Sequence, residues 1–234
     1  WAMRPVFVID INKCVGCRAC VAACIVEHGQ PFVASANIAA GLPRFTRTRT
    51  YVSWVERESG DRPTRRFISH LCFHCEKTPC LEVCPTQATY KTPEGVVLVD
   101  KDKCVGCRYC IMACPYGMRF TPPAYDFLKA EKNPVVKDAK AGTEYGGVMF
   151  KPPVPNKWAT KLTAVDKCTL CYHRYNGDGK IWTPACVETC PTGSRIFGDL
   201  DNPNDTVADL VRRGVAKHAE PAKGTRGLIY YVGL

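Results

Sequence analysis

The chain has 234 residues, a formal net charge of +10, 46% hydrophobic residues and 16 cysteines. No run of eighteen apolar residues occurs, which excludes a membrane-spanning helix in this sequence, and the length suits one large domain or two fused small ones. With 18 Pro and 18 Gly breaking up the apolar segments, a core here leans on bound inorganic groups more than on long elements.

In chain order, residues 6–9 are apolar and β-rich and read as a strand leading into CVGCRACVAAC at 14–24. Cys14, Cys17 and Cys20 are three residues apart, and Cys24 follows four later. Thiolates at that spacing let a curled segment touch three corners of one iron–sulfur cubane, while its N–H groups face the anionic sulfides. The longer last step carries the fourth cysteine a helical turn away, toward a second cluster. Gly16 sits at the sharp bend. Ile25, not proline, follows Cys24, so the spacing predicts a helix to residue 28, stopped by Gly29 and Pro31. Residues 31–65 hold no cysteine. Their 50–55 core alternates as a strand beside Arg44, Arg47 and Arg49, either as a solvated hairpin or as a docking surface for a partner.

The second run is Cys72, Cys75, Cys80 and Cys84, with one spacing widened to four. His74, between two cysteines, reads as a hydrogen-bond donor or surface group and not as a ligand. Residues 88–90 and 96–100 then form a hairpin. It feeds the third run, CVGCRYCIMACP at 104–115, whose cysteines are Cys104, Cys107, Cys110 and Cys114. Residues 10–24 and 100–114 agree at ten of fifteen positions, an internal repeat that implies two similar ferredoxin-like modules. The proline-rich stretch 120–165 cannot build a core and is expected to be a loop or partner-ordered arm. The fourth run is Cys168, Cys171, Cys186 and Cys190, opened by a turn at 176–179. Residues 206–218 read as an amphipathic helix capped by Thr206 or Asp205, and 227–232 as a final strand.

All sixteen cysteines fall into four groups with none left over, which disfavours a disulfide framework, and a zinc ribbon fits only the last group, poorly. Four cubanes with their thiolates would carry roughly −8, bringing +10 to near neutrality, so the basic excess needs no nucleic acid to explain it. Arg18 and Arg108, each directly after a second cysteine, are candidates for tuning cluster potential. The residues show no signal-peptide or twin-arginine pattern, and from a chain opening on Trp1 no compartment is read.

The four groups in this order, CxHCxxxPCxxxCPTxA at 72–88 and GTRGLIYYV at 224–232 resemble the four-cluster iron–sulfur subunits of molybdopterin oxidoreductase complexes, such as dimethyl sulfoxide, polysulfide, tetrathionate and arsenate reductases. The resemblance implies an α+β fold of two pseudo-symmetric bacterial ferredoxin-like modules with long loop insertions. One module takes residues 1–30 with 160–200, the other 66–120. Residues 31–65 and 120–159 are insertions or docking arms, and 201–234 a C-terminal helix and tail. Four [4Fe–4S] clusters are implied, with iron held through the sixteen cysteines. Combined with the spacing, the ligand sets are Cys14, Cys17, Cys20 and Cys190; Cys168, Cys171, Cys186 and Cys24; Cys72, Cys75, Cys80 and Cys114; and Cys104, Cys107, Cys110 and Cys84. The function implied is electron relay without catalytic residues, between a large molybdopterin catalytic subunit and an integral-membrane quinone-reactive (NrfD-like) or cytochrome subunit. The chain would sit peripherally at the membrane through that partner, in anaerobic respiration. In such subunits the second–third module faces the membrane partner. The alternative is a free polyferredoxin-type carrier, or a cluster subunit of a quinone-reducing complex without molybdopterin.

Overall fold

The structure is a computed structural model and describes residues 3–28, 48–59, 62–121, 144–145, 148–149, 164–219 and 225–234. Strand β1 (Pro5–Asp10) lies at the centre of a three-stranded sheet, antiparallel to β8 (Arg195–Asp199) and parallel to β9 (Ile229–Val232). Its side chains alternate with the two-residue strand period. Phe7 and Ile9 enter the main core, and Val6 and Val8 a smaller one beneath helix α5 (Thr206–Arg212). A centre buried on both faces is what the uninterrupted run PVFVI encodes. The tail, expected as a final strand, is built into this sheet.

Helix α1 (Ala19–His28) reaches the expected residue 28 and buries Cys20, Cys24, Glu27 and His28; the expected stop at Gly29 and Pro31 lies outside the described residues. Alternation at 50–55 proves to be one part of a longer hairpin, β2 (Thr50–Ser59) against β3 (Arg62–Leu71), with Thr50 opposite Leu71. The proposed docking role of Arg44 and Arg47 lies outside the described residues. Arg49 is instead fully buried. The hairpin expected from 88–100 is β4 (Thr89–Lys91) against β5 (Val97–Val99). Of the 120–165 arm, most lies outside the described residues; β6 (Glu144–Tyr145) pairs with β7 (Val148–Met149).

The remaining helices are short: α2 (Pro79–Glu82), α3 (Tyr109–Met112), a 3-10 turn (Tyr172–Arg174) and α4 (Ala185–Glu188). Asp205 caps α5 by accepting from Val207 N at 3.0 Å. The helix stops six residues short of the expected 218. Gly214 turns left-handed at φ +68°, and Lys217 then bridges Tyr231, so pairing to the sheet replaces another helical turn.

Phe7, Leu71, Leu98, Leu170 and Ile229, drawn from every part of the chain, belong to one core cluster and are at most 1% exposed. Each such burial is worth about 1.5–3 kcal/mol. A further tie is polar: Asp166, bridged to Phe120, meets Arg49 Nη2 at 3.0 Å and Lys101 Nζ at 2.9 Å, all three side chains being at most 2% exposed.

Candidate iron–sulfur centres

The four runs share one backbone device. Two residues past the first cysteine, the chain turns left-handed in each: Gly16 (φ +71°), His74 (+48°), Gly106 (+72°) and Leu170 (+52°). Glycine takes this without strain, whereas His74 and Leu170 carry the penalty of an L side chain there. The third cysteines, Cys20, Cys80, Cys110 and Cys186, lie in α1, α2, α3 and α4. In three runs the last cysteine closes the helical turn: Cys84 N, Cys114 N and Cys190 N donate to Leu81, Ile111 and Val187 carbonyls. Left-handed Gln87, Gly117 and Gly193 follow each at the same remove.

These turns gather the cysteines across runs. One pocket, of about 320 Å³, is lined by Cys104, Cys107 and Cys110 together with Cys84. A second, of about 350 Å³, takes Cys72, Cys75 and Cys80 with Cys114. A third, of about 330 Å³, takes Cys168, Cys171 and Cys186 with Cys24. Around Cys20 the charges of Cys14 and Cys190 are felt, and Cys186 of the neighbouring set as well. Cys17 is exposed.

The donor set fits [4Fe–4S] clusters. Soft thiolates ring pockets with apolar walls such as Phe73, Val97 and Met118. Among the described residues no three His, Cys, Asp or Glu converge closely enough for one metal ion, as a zinc ribbon would require. Backbone N–H groups already aim at sulfur: Leu170 N lies 3.4 Å from Cys168 Sγ and Thr89 N 3.4 Å from Cys84 Sγ. Burial pushes the thiols of Cys75 and Cys168 up to about 12, so metal must displace their protons on binding. Burial would also raise Cys84 and Cys190, but hydrogen bonds from Thr89 and Thr86, and from Thr192 and Arg195, outweigh it and lower both.

His74 is no surface group. It is 1% exposed and lines the second pocket. Val97 N–H donates to its Nδ1 at 3.0 Å, which leaves the neutral ring's proton on Nε2. Burial, with Lys167, Arg119 and Lys91 nearby, holds its pKa well below the usual histidine value. Arg18 and Arg108 are left-handed and exposed at helix starts, at φ +61° and +66°. Arg108 nevertheless lines the pocket of Cys104, Cys107, Cys110 and Cys84, and two arginines that the spacing argument passed over, Arg119 and Arg195, are buried among the cysteines at 2% and 4% exposed. The signal was present: CPYGMR at 114–119 and CPTGSR at 190–195 put each five residues past a terminal cysteine.

Cysteines gathered across runs on ferredoxin-type turns define a polycluster iron–sulfur protein. Models of the 4Fe-4S dicluster domain match residues 13–88 and 64–130. The chain is similar to a tetrathionate reductase subunit of Salmonella typhimurium, 32% identical over 99% of this chain and 73% of the relative. It is 31% identical to the arsenate respiratory reductase iron-sulfur subunit ArrB of a Shewanella species, over 98% of this chain and 96% of the relative. With protein NrfC of Escherichia coli it shares 33% identity over 98% of this chain and 81% of that one. The chain belongs to this family of iron–sulfur subunits of oxidoreductase complexes. It is an electron-transfer subunit with two dicluster domains, hence four [4Fe–4S] clusters.

Proposed function

We propose that the chain relays electrons between a molybdenum- or tungsten-pterin catalytic subunit and an integral-membrane quinone-reactive or cytochrome partner, and transforms no substrate itself. Bound clusters supply one-electron carriers in series; the polypeptide holds them, shields them and sets their charge environment. It docks peripherally through its partners, and no helix among the described residues is long and apolar enough to cross a membrane.

The observation that carries this reading is the crossing of Cys24, Cys84 and Cys114, each the last cysteine of its run, into another run's pocket, with Cys190 acting on Cys20. It supports the ligand sets Cys14, Cys17, Cys20, Cys190; Cys168, Cys171, Cys186, Cys24; Cys72, Cys75, Cys80, Cys114; and Cys104, Cys107, Cys110, Cys84. Two pseudo-symmetric modules, 1–30 with 160–200 and 66–120, accord with the strand registers. Ile9 lies opposite Arg195 in one, and Val99 opposite Thr89 in the other. Ile9 and Val99 are equivalent in the internal repeat, while Arg195 and Thr89 each lie five residues past the last cysteine of a run. Segments 31–65 and 120–159 are then arms for the catalytic partner, and 201–234 completes the first module.

The test is spectroscopic. Anaerobically purified protein should hold about sixteen irons per chain. Cys24→Ser and Cys171→Ser should disturb the same paramagnetic signal, and Cys17→Ser a different one. If Cys24→Ser and Cys17→Ser disturb one signal and Cys171→Ser another, the crossing is wrong.

A further inference from the structure

Among the described residues five Lys and Arg side chains are essentially buried: Arg49, Lys101, Arg119, Lys167 and Arg195. Their partners divide them. Arg49 and Lys101 share Asp166, and Lys167 donates to the Cys168 carbonyl at 2.5 Å. Among the described residues Arg119 and Arg195 meet no carboxylate. Arg119 Nη1 donates to Thr89 Oγ1 at 3.1 Å, while Nε and Nη2 find no hydrogen-bond acceptor. Arg195 Nη2 donates to Thr50 Oγ1 at 2.8 Å and to Ser69 Oγ, its guanidinium lies 5.6 Å over the Phe7 ring, and Nη1 finds no acceptor.

A buried guanidinium without a counter-anion costs several kcal/mol, so the fold must supply negative charge. Around both arginines that charge is sulfur. Arg119 lines the pocket of Cys72, Cys75, Cys80 and Cys114, and Cys110 of the adjoining pocket also acts on it. Arg195 lines the pocket of Cys24, Cys168, Cys171 and Cys186, and Cys20 of the next set acts on it. Each module thus holds one such arginine between its two quartets. Arg119 follows the third run and Arg195 the fourth.

We propose that Arg119 and Arg195 are shared positive charges, each set between the two clusters of one module to raise both reduction potentials. A fixed cation beside an anionic cluster favours the more negative, reduced form, as it favours any ionised neighbour. Placed between two clusters, it offsets the repulsion that reducing one imposes on the other. The inference rests on the ligand sets proposed above, which stand or fall separately on the cysteine variants made with both arginines intact.

The experiment is a redox titration of the assembled complex, each paramagnetic signal assigned with the cysteine variants and iron counted alongside. Arg119→Gln, with full iron, should lower the reduction equilibrium constants of both clusters of the 66–120 module at least tenfold, about 59 mV for a one-electron couple. The other two clusters should stay within threefold. Arg195→Gln should give the converse pattern, and Arg119→Lys and Arg195→Lys should stay within threefold of wild type throughout. Unchanged potentials in fully loaded Gln variants would overturn the proposal. Should a Gln variant lose iron, its Lys counterpart decides. Full iron with near-native potentials upholds the charge, whereas lost iron or a tenfold fall in the Lys variant assigns the arginine a structural role only.

Discussion

Arg49 and Asp166, 117 residues apart in sequence, form an ion pair of 3.0 Å in which neither side chain reaches solvent. Asp166 also takes the ammonium of Lys101, so removing one carboxylate strands two buried cations. Asp166→Asn should therefore cost about 3–5 kcal/mol. The temperature at which visible cluster absorbance is lost should fall by roughly 6–20 °C. A variant melting within a degree or two of wild type would show that the pair does not hold the two halves of the chain together.

Glu27 at the end of α1 receives Arg174 Nε at 2.6 Å and Nη2 at 2.9 Å, and His173 Nε2 lies 2.7 Å from the same carboxylate. Burial would raise its pKa, but these donors hold it below the usual carboxylate value. A depressed folded pKa gives stability that is present above the unfolded value and lost as pH falls through the folded one. Glu27→Gln should thus cost about 1–3 kcal/mol. The gap to wild type should stay constant from pH 7 to 5 and close only below about 4.3. A gap already narrowing between pH 7 and 5 would contradict the depressed pKa.

Gly227 passes so close to the second run that a Cβ there would stand 2.1 Å from the Phe73 carbonyl oxygen, the acceptor of Leu228 N. Gly227→Ala must push β9 away from the residue beside Cys72, and iron content should drop at that pocket. Gly117 is left-handed at φ +62° with nothing within 4 Å of its Cβ position. Gly117→Ala should therefore lose only about 1–2 kcal/mol and keep full iron. Equal iron loss in both variants would trace the effect to backbone strain and not to the close approach.

Cys107 is exposed, and beside it Val105, Tyr109 and Met112 are 68%, 62% and 86% exposed. An apolar patch at the edge of a cluster pocket suits a partner that receives electrons there. With the 66–120 module facing the membrane partner, as proposed from the family resemblance, Cys107→Ser should block exchange with quinone while the catalytic subunit still reduces the clusters on its own side. Stopped-flow reduction from each end checks this, and intact quinone exchange with lost catalytic-side reduction would reverse the wire.

The sequence by itself determined the cofactor chemistry, because cubane ligation is written in local spacing: closely spaced thiolates on a curled segment, a glycine at the bend in the first and third runs, and a longer step that sends the last cysteine toward another cluster. The fifteen-residue repeat, its copies ninety residues apart, made the modular build legible, and β1, α1 and the β4–β5 hairpin followed from short-range pattern and stop signals. What only the tertiary structure decided depends on residues far apart in the chain. No local rule foretold that Arg49, in a basic surface-like stretch, would be buried against Asp166, or that α5 would yield its last turns so that Lys217 could bridge Tyr231. The same holds for the arginines. Adjacency to a cysteine favoured Arg18 and Arg108, and Arg108 does line a cysteine pocket, though both are solvent-exposed. Arg119 and Arg195 line pockets whose cysteines come from distant runs, and only folding creates that interior.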